Sequence, residues 1–556
     1  MATPVESPQS APPGGGKFKR SVGFYGLMFI SLGSIIGSGW LLGALNAAKS
    51  AGPASLLSWV LAAAMLAVLA LIHAELGAAY PVAGGTARFP AFAFGAVAGF
   101  TAGWTAWLQA VAIAPIEVEA SLAYLDNISW VKDNLNLLKE NGSLTFSGFC
   151  WATLLMILFT TINIVGVKLL SESNSVTVIW KTAVPVLTII LLLTLSFHSS
   201  NFHAGGGFAP FGAHGVFAAL PLGVVFALQG FEQCIQLGGE AKNPQKDISR
   251  AVIAAMIIGT VIYIGLEIAF VGSLDPANLI HGWGNPIAKG DFGPYATLAV
   301  AAGAGWLSYV LYADAFVSPA GTGLVYVGTS ARLSYALGKE KLLSPKLGKL
   351  TLRGVPIWSI LLAFVVGEIA FLPFPSWQQL VGVVTSATAT MYAFAPISLA
   401  ALRKRDPGRP RPYKLPAPKL MAPVGFASAN LIMYWAGFDI TWKIVVAIIV
   451  GFVLFEITQA VSKSERALEM EWRSAWWIGP WLIGTVVIGY LGRYSSVPNA
   501  GNKSILPEWI DLAVVIAFSL VIFYWAVSLA MTTDKVQAAV AREEDEIAVE
   551  PDILTA

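Results

Sequence analysis

Charged residues are scarce in this chain. Asp, Glu, Lys and Arg together make up 12% of its 556 residues, whereas roughly 25% is usual in soluble domains. Hydrophobic residues make up 56%, and apolar runs recur from one end of the chain to the other. A helix of about 20 apolar residues is long enough to cross the ~30 Å hydrocarbon core of a membrane. The composition therefore excludes a soluble globular domain and predicts an integral membrane protein in a lipid bilayer.

Cysteine and histidine are also rare, and the net charge is close to zero. The two cysteines, Cys150 and Cys234, both lie in apolar runs and have no spacing typical of a disulfide framework or a metal site. The five histidines form no cluster of the kind that a membrane-embedded metalloenzyme needs. We therefore expect no metal, no cofactor and no enzymatic activity. A net charge of +2 provides no basic surface, which excludes nucleic acid as a partner.

The apolar runs predict an all-α integral membrane fold with about fourteen transmembrane helices. Spans one to five and spans six to ten can be superimposed as two five-helix halves, each of which opens with an interrupted helix. Because five is an odd number, the second half must be inverted relative to the first. The approximate limits of the fourteen spans are 22–48, 54–79, 90–122, 148–167, 175–197, 214–238, 249–272, 297–326, 355–373, 378–401, 420–438, 442–461, 475–492 and 509–530.

The spans divide the chain into five parts. Residues 21–401 are the predicted ten-helix transport core, and residues 420–531 hold four additional transmembrane helices with no interrupted member. The remaining parts are a disordered N-terminal tail (1–20), a linker (402–419) and an acidic C-terminal tail (532–556). Lys and Arg concentrate in the N-terminal tail and in the loops after spans six, eight and ten. This bias predicts that both termini are cytoplasmic and that the protein lies in the plasma membrane.

Tryptophans at the ends of spans are typical of the interface between membrane and water. On this pattern we expect Trp130, Trp377 and Trp509 to lie in the interfacial belt.

Two apolar runs are interrupted by glycine-rich segments where a membrane helix should be continuous. The first is residues 33–39 (GSIIGSG), and the second is residues 229–232 (QGFE). Irregular backbone at membrane depth is tolerated only where it is buried in protein or lines a wet cavity. A pair of such breaks, in corresponding halves of the chain, is the best sequence indication of a transporter binding site.

The polarity of the half-helices predicts what binds at the breaks. Backbone N–H groups at the start of the outer half of span one suit a carboxylate, and carbonyls at the break in span six suit an ammonium group. Together they describe an α-amino acid. The alternative is that the glycines, with Gly33 and Gly37 at GxxxG spacing, only allow tight helix packing. The expected substrate-binding residues are Ile35, Ile36, Gly37, Ser38 and Gly39 in span one and Phe226, Ala227, Leu228, Gln229 and Gly230 in span six.

Several further motifs resemble the amino acid–polyamine–organocation superfamily of secondary transporters. They are residues 34–39 (SIIGSG), 74–76 (AEL), 80–85 (YPVAGG), 230–232 (GFE), 239–248 (GEAKNPQKDI), and 318–319 (SP) leading into 331–337 (ARLSYAL). Among members of the superfamily the chain is most similar to bacterial aspartate–proton symporters, through residues 372–377 (LPFPSW), 395–398 (APIS) and 474–477 (SAWW) and through the added spans. Glu232 and Gln233 depart from that symporter pattern. The resemblance implies an inverted-repeat fold, alternating access and a substrate at the membrane midplane.

Lys181 lies within the apolar run of span five, where an ammonium group is costly and is a functional candidate by default. The alternative is that it extends to the nearby membrane surface. In proton-coupled relatives a lysine at this place resembles a substitute for a sodium ion. The resemblance implies that Lys181 contacts span-one carbonyls near Gly33 and Ser34 and a span-eight hydroxyl, Ser318 or Thr322. The other candidates for proton coupling are Glu117 in span three and Asp314, one turn before Ser318.

These features favour a secondary transporter that imports an amino acid together with protons. Aspartate or another acidic amino acid is the candidate substrate, on resemblance alone. An exchanger or a polyamine carrier of the same fold is the alternative function. A channel is disfavoured because two inverted broken helices suit an occluded site better than an open pore. The sequence leaves the oligomeric state open.

Overall fold

The computed structural model describes residues 22–165, 167–288, 291, 293–351, 355–374, 376–461, 470–495 and 501–549, with the backbone alone for 167–175 and 545–549. The predicted N-terminal tail, residues 1–20, lies outside the described residues, as do residues 550–556. Within the described ranges the chain is helical and forms three isolated bridges but no β-strand. This confirms the predicted all-α fold.

The first five-span half runs from α1 to α8. Its spans are α1 with α2, then α3, α5, α7 and α8, while the shorter helices α4 and α6 lie in connections. The bounds are α1 Phe24–Ile35, α2 Gly39–Ala51, α3 Ser55–Ala79, α4 Gly85–Phe94, α5 Ala96–Asp126, α6 Ser129–Leu135, α7 Phe146–Val165 and α8 Val167–Leu195.

The second half repeats this order from α9 to α16. Its interrupted span comprises α9, α10 and α11, and the others are α12, α14, α15 and α16, with α13 in a connection. The bounds are α9 Gly212–Ala219, α10 Val225–Leu228, α11 Gln233–Gln236, α12 Pro244–Ser273, α13 Pro294–Ala301, α14 Gly305–Lys339, α15 Ile357–Ala370 and α16 Trp377–Arg405.

Six further helices follow the two halves. Their bounds are α17 Pro418–Trp435, α18 Phe438–Val461, α19 Trp472–Ala475, α20 Ile478–Leu491, α21 Ile510–Ser528 and α22 Thr533–Val549. In the part of the chain that the structure describes, ten helical runs are long and apolar enough to cross a membrane, and one of them, Gly39–Ala79, joins α2 and α3. Three shorter apolar helices accompany them. The protein is thus a multi-pass membrane protein, and the count of fourteen spans stays a prediction.

Both predicted interruptions are present. In the first half α1 ends at Ile35 and α2 begins at Gly39. In the second half α10 ends at Leu228, after which Gln229 is extended (φ −79°, ψ 164°) and Gly230 has φ +114°. A φ of this value is accessible to glycine and strained for other residues, so Gly230 is what allows the chain to turn out of the helix here.

The two breaks touch α5 and α16, since the Ser38 N–H donates to Glu117 of α5 and the Gly230 N–H to Tyr392 of α16. In α16, 94% of the apolar window is buried inside the protein, and in α5 83% is buried, whereas the other candidate spans reach at most 50%. A span that is buried on nearly all sides is at the centre of a bundle, because a lipid-facing span exposes one side. The two breaks therefore lie in the interior, between central helices that shield them from lipid.

Candidate functional site

The two breaks cross each other in direct contact. A Cβ atom at Gly39 would lie 2.8 Å from the Cα of Ala227, and one at Gly230 would lie 2.9 Å from the carbonyl carbon of Ser34. Neither distance leaves room for a side chain. The structure therefore brings the span-one and span-six residues of the predicted substrate site together, and two of their glycines are where the backbones approach most closely.

The N-terminal end of α2 carries an acidic partner from another helix. The backbone N–H of Ser38 donates to Glu117 Oε2 at 2.8 Å, and a Cβ atom at Gly37 would lie 2.7 Å from Glu117 Oε1. Glu117 comes from α5 and is 1% exposed. A carboxylate is thus already bound at the helix start where the sequence predicts an anion, and Gly37 leaves the space that it occupies.

Lys181 of α8 points at the same crossing from the side of α1. Its Nζ donates to the carbonyl of Gly33 at 2.9 Å and to Thr322 Oγ1 at 2.6 Å. It is 2% exposed, so it does not extend to the membrane surface. Thr322 is also 3.1 Å from the Cβ position of Gly37. The ammonium group, the α14 hydroxyl and the Glu117 carboxyl are therefore contiguous around the first break.

Asp314 and Ser318 form a neighbouring pair on α14. Ser318 Oγ donates to Asp314 Oδ1 at 2.7 Å, and Trp40 Nε1 donates to Asp314 Oδ2 at 3.1 Å. Of the two hydroxyls that the resemblance offered as partners of Lys181, the structure places Thr322 against it and Ser318 against Asp314. Asp314 lies close enough to Lys181 to interact with its charge. It also holds α14 against the first turn of α2 through Trp40.

The second break has its own acidic partner. Glu232 Oε2 accepts hydrogen bonds from the Gly230 N–H at 3.1 Å and from the hydroxyl of Tyr392 on α16, while Gln233 Nε2 donates to Glu232 Oε1 at 3.3 Å. Glu232 is 1% exposed. Glu232 lies within the interruption that the sequence predicts at residues 229–232, but Tyr392 carries no local signal because it lies 160 positions away.

Two more aromatic residues reach the first break from distant parts of the chain. The hydroxyl of Tyr263 on α12 donates to the carbonyl of Ile35 at 2.8 Å, and Trp377 Nε1 donates to Ser38 Oγ at 3.0 Å. The expectation that Trp377 lies in the interfacial belt is wrong, because it is 3% exposed and packs on Phe226. Trp130 and Trp509 are 66% and 61% exposed. Hydropathy alone does not separate a tryptophan that covers a site from one that faces the interface.

The arrangement offers complementary charges around two unwound segments. Backbone N–H groups begin α2, the end of α10 meets that helix start at Ala227, and an ammonium and two carboxyl side chains border the crossing. Such a site can hold a zwitterion at the main chain and can exchange protons with nearby side chains.

The chain matches the amino acid permease family over residues 22–455. It is 36% identical over 524 residues to the glutamate/serine transporter AimA of Bacillus subtilis, covering 94% of this chain and 96% of the relative. It is 33% identical over 515 residues to the aspartate-proton symporter of the same organism, covering 92% and 96%. A branched-chain amino acid permease, BcaP, also of Bacillus subtilis, is 24% identical over 457 residues, covering 80% of this chain and 94% of the relative.

The matched region contains both interrupted helices and every candidate site residue. With the all-helical multi-pass fold, the match shows that the chain belongs to the amino acid permease family, and the three relatives named above are amino acid transporters.

Proposed function

We propose that the protein imports an amino acid together with protons by alternating access. The observation that carries the proposal is the contact between the Ser38 N–H and Glu117 Oε2, at 2.8 Å. It places a titratable side chain on the donor that the substrate carboxylate would use. Substrate binding and the protonation of Glu117 are then linked, because the carboxylate of the substrate and that of Glu117 compete for one group.

The linkage has a defined direction. A protonated Glu117 is a weaker acceptor and carries no charge, so it releases the Ser38 N–H to an incoming substrate carboxylate. The amine of the substrate then lies against the last carbonyls of α10, from Phe226 to Leu228. Lys181, held by Gly33 and Thr322, is the second candidate for the coupled proton and lies close enough to Glu117 to sense its charge. Proton and substrate would therefore be carried together.

The relatives suggest the class of substrate. One is named for aspartate and protons and the other for glutamate and serine. We propose a substrate with a short polar or acidic side chain. We further propose that both termini are cytoplasmic, as the basic loops predict, and that the protein is a carrier in the plasma membrane rather than an enzyme.

The proposal is tested by uptake into proteoliposomes that contain the purified protein. Radiolabelled aspartate and serine are offered with and without an inward proton gradient, in buffers that contain potassium and no sodium. We expect saturable accumulation that needs the proton gradient and is unchanged when sodium is added. Strict dependence on sodium, or exchange with internal amino acid but no net accumulation, would contradict proton-coupled import.

A further inference from the structure

Gln229, the first residue after α10, has an unsatisfied side chain in the middle of the protein. It is 3% exposed, and within the described part of the chain neither its Oε1 nor its Nε2 has a hydrogen-bond partner. Its backbone N–H is satisfied, since it donates to the carbonyl of Val225 at 3.1 Å. A buried amide without partners costs free energy, and native structures rarely contain one without a reason.

The position of Gln229 indicates that reason. It lies between Ala227, which touches Gly39, and Gly230, which touches Ser34. Gln229 is therefore at the crossing of the two breaks, next to the backbone groups proposed to hold the substrate amine and carboxylate.

Other glutamines near the crossing have at least one amide atom paired, which sets Gln229 apart. Gln233 donates to Glu232, and Gln109 of α5, whose Nε2 is unpaired, interacts with the hydroxyl of Tyr326 on α14. The buried ammonium group of Lys181 is held by Gly33 and Thr322. Gln229 is thus the polar side chain in the span-six break whose two amide atoms both remain available to a substrate.

We propose that the amide of Gln229 selects amino acids whose short side chain ends in a carboxylate or a hydroxyl. The inference rests on the proposed function and adds the specificity-determining residue. Nε2 can donate to either group, and Oε1 can accept from a hydroxyl. A branched aliphatic side chain pairs with neither atom, so it leaves the amide buried and unsatisfied, which a site built for hydrogen bonding rejects.

The test measures binding to the purified full-length protein by thermal stabilisation with aspartate, serine or valine. In Gln229→Leu the apparent Kd for aspartate and serine should rise about 10-fold relative to that for valine, the effect of one lost buried hydrogen bond. Gln229→Glu should keep serine, which can donate to the new carboxylate, and lose aspartate, which it repels. Gln378→Leu is the matched control, because the Gln378 amide is bound to Asn46.

The apparent Kd values for aspartate and serine, each divided by that for valine, show whether Gln229 determines selectivity. If Gln229→Leu weakens all three amino acids by one factor, or none, Gln229 only packs the crossing and the inference is wrong. If the unmodified protein binds none of the three, the proposed function fails, and this inference fails with it.

A second inference comes from the opposite end of the sequence. The last described helix, α22, packs on α4, the short helix that connects α3 and α5. Val536 and Val540, one turn apart, are 0% and 6% exposed, and the Met531 N–H donates to the carbonyl of Ala93 at 3.0 Å. The segment that the sequence describes as an acidic tail therefore includes a docked helix.

Ion pairs fasten α22 at three points, one of which joins Lys535 of α22 to Glu471. Arg88 of α4 pairs with Glu543 of α22 at 3.2 Å and also with Glu340, just beyond α14. Arg409, in the connection between α16 and α17, pairs with Glu544 at 2.6 Å. These groups are partly exposed, so each pair contributes little by itself, but Arg88 joins three separate segments of the chain.

Helix α4 is in turn attached to the span-six break. The Gly84 N–H donates to the carbonyl of Gln236 at 3.0 Å, and Gln236 Nε2 donates to Thr86 Oγ1 at 2.5 Å. Gln236 ends α11, only a few residues after the break. A displacement of α4 therefore has to move or release the inner part of span six. We infer that α22 is a strap that restrains α4 over the inner end of the site.

Cys234 provides a reporter for this restraint. It lies in α11 and is 0% exposed, whereas the other cysteine, Cys150, is exposed. In purified Cys150→Ser protein, the rate at which N-ethylmaleimide alkylates Cys234 measures how often α11 is uncovered. Adding Glu543→Gln and Glu544→Gln should raise this rate about 5-fold, the scale of two exposed ion pairs. Glu456→Gln in α18, which also removes one exposed carboxylate, should leave it unchanged.

Salt provides a second measurement. Raising the ionic strength should speed the alkylation of Cys234 with the ion pairs intact, because salt screens exposed charges. The effect should be smaller in the double variant, in which only the Lys535–Glu471 pair of α22 remains. An alkylation rate that neither the double variant nor salt changes would show that α22 does not restrain α4. The readout needs no substrate, so it is independent of the proposed transport function.

Discussion

Substitutions of Lys181 and Glu117 can separate proton coupling from substrate transport. Lys181→Ala removes the donor to Gly33 and Thr322, and we expect it to abolish proton-driven accumulation while counterflow exchange, which needs no net proton movement, continues. Glu117→Gln should keep a side chain on the Ser38 N–H and remove its dependence on pH. Both variants are measured by uptake and counterflow in proteoliposomes.

Comparing the Lys181→Ala and Glu117→Gln variants identifies the side chain that carries the coupled proton. If Lys181→Ala accumulates substrate normally and Glu117→Gln loses coupling, Glu117 is the carrier and Lys181 is structural. If both variants couple normally, the assignment of both residues is wrong, and Asp314, which interacts with the Lys181 charge, becomes the residue to test.

Individual residues of the candidate site could be predicted where a residue type is energetically unfavourable in its local sequence context. The cluster of glycines at residues 33–39 and the lysine at membrane depth stand out because each is unfavourable in an apolar helix without a purpose. Tyr263, Tyr392 and Trp377 are ordinary residues for a membrane helix, and their partners lie 228, 160 and 339 positions away. Their role depends on tertiary contacts that no local pattern contains.

At the scale of the helix, the crossing depends on α2 having no side chain at one position. A Cβ atom at Gly39 would lie 2.8 Å from Ala227, whereas one at Gly43, a turn later, would lie at an ordinary 3.6 Å from Trp59. Gly39→Ala should therefore push α2 away from α10 and weaken substrate binding about 10-fold or more, since overpacking at such contacts costs 1–3 kcal/mol. Gly43→Ala is the control and should bind normally.

Thermal stabilisation by substrate measures both variants on folded protein. Equal affinities for Gly39→Ala and Gly43→Ala would mean that the close approach of the two broken helices does not support the binding site, and the packing explanation of these glycines would be preferred.

The interrupted helices themselves followed from the sequence, whereas their partners did not. Residues 33–39 and 229–232 break the pattern of a continuous apolar helix, so their irregular backbone was predictable. The kink in the Leu220–Val224 segment, where Leu222 and Gly223 leave the helical conformation and Gly223 has φ +141°, was not. A single glycine within an apolar run is common in membrane helices and gives no sign of a kink.

For the whole molecule, hydropathy and the family motifs were sufficient to predict the class of fold. In a membrane, long apolar runs can satisfy their backbone hydrogen bonds only as helices or closed barrels. Runs of about 20 residues have the length of a transmembrane helix and are too long for a transmembrane strand. The docking of α22 was not predictable, because its sequence is rich in charge and reads as a solvated tail. Val536 and Val540 are the buried apolar side chains of α22, and two apolar residues among so many charged ones give no clear amphipathic pattern.

The polar groups at the crossing are largely paired within the protein itself. The carbonyls of Gly33 and Ile35 are held by Lys181 and Tyr263, and the Ser38 N–H is held by Glu117. An obligatory exchanger needs a bound substrate to neutralise the site before the protein can reorient. A carrier that neutralises its site with its own side chains can return to the outward-facing state without a bound substrate. The self-pairing at the two breaks thus favours a cycle in which every turn delivers net solute.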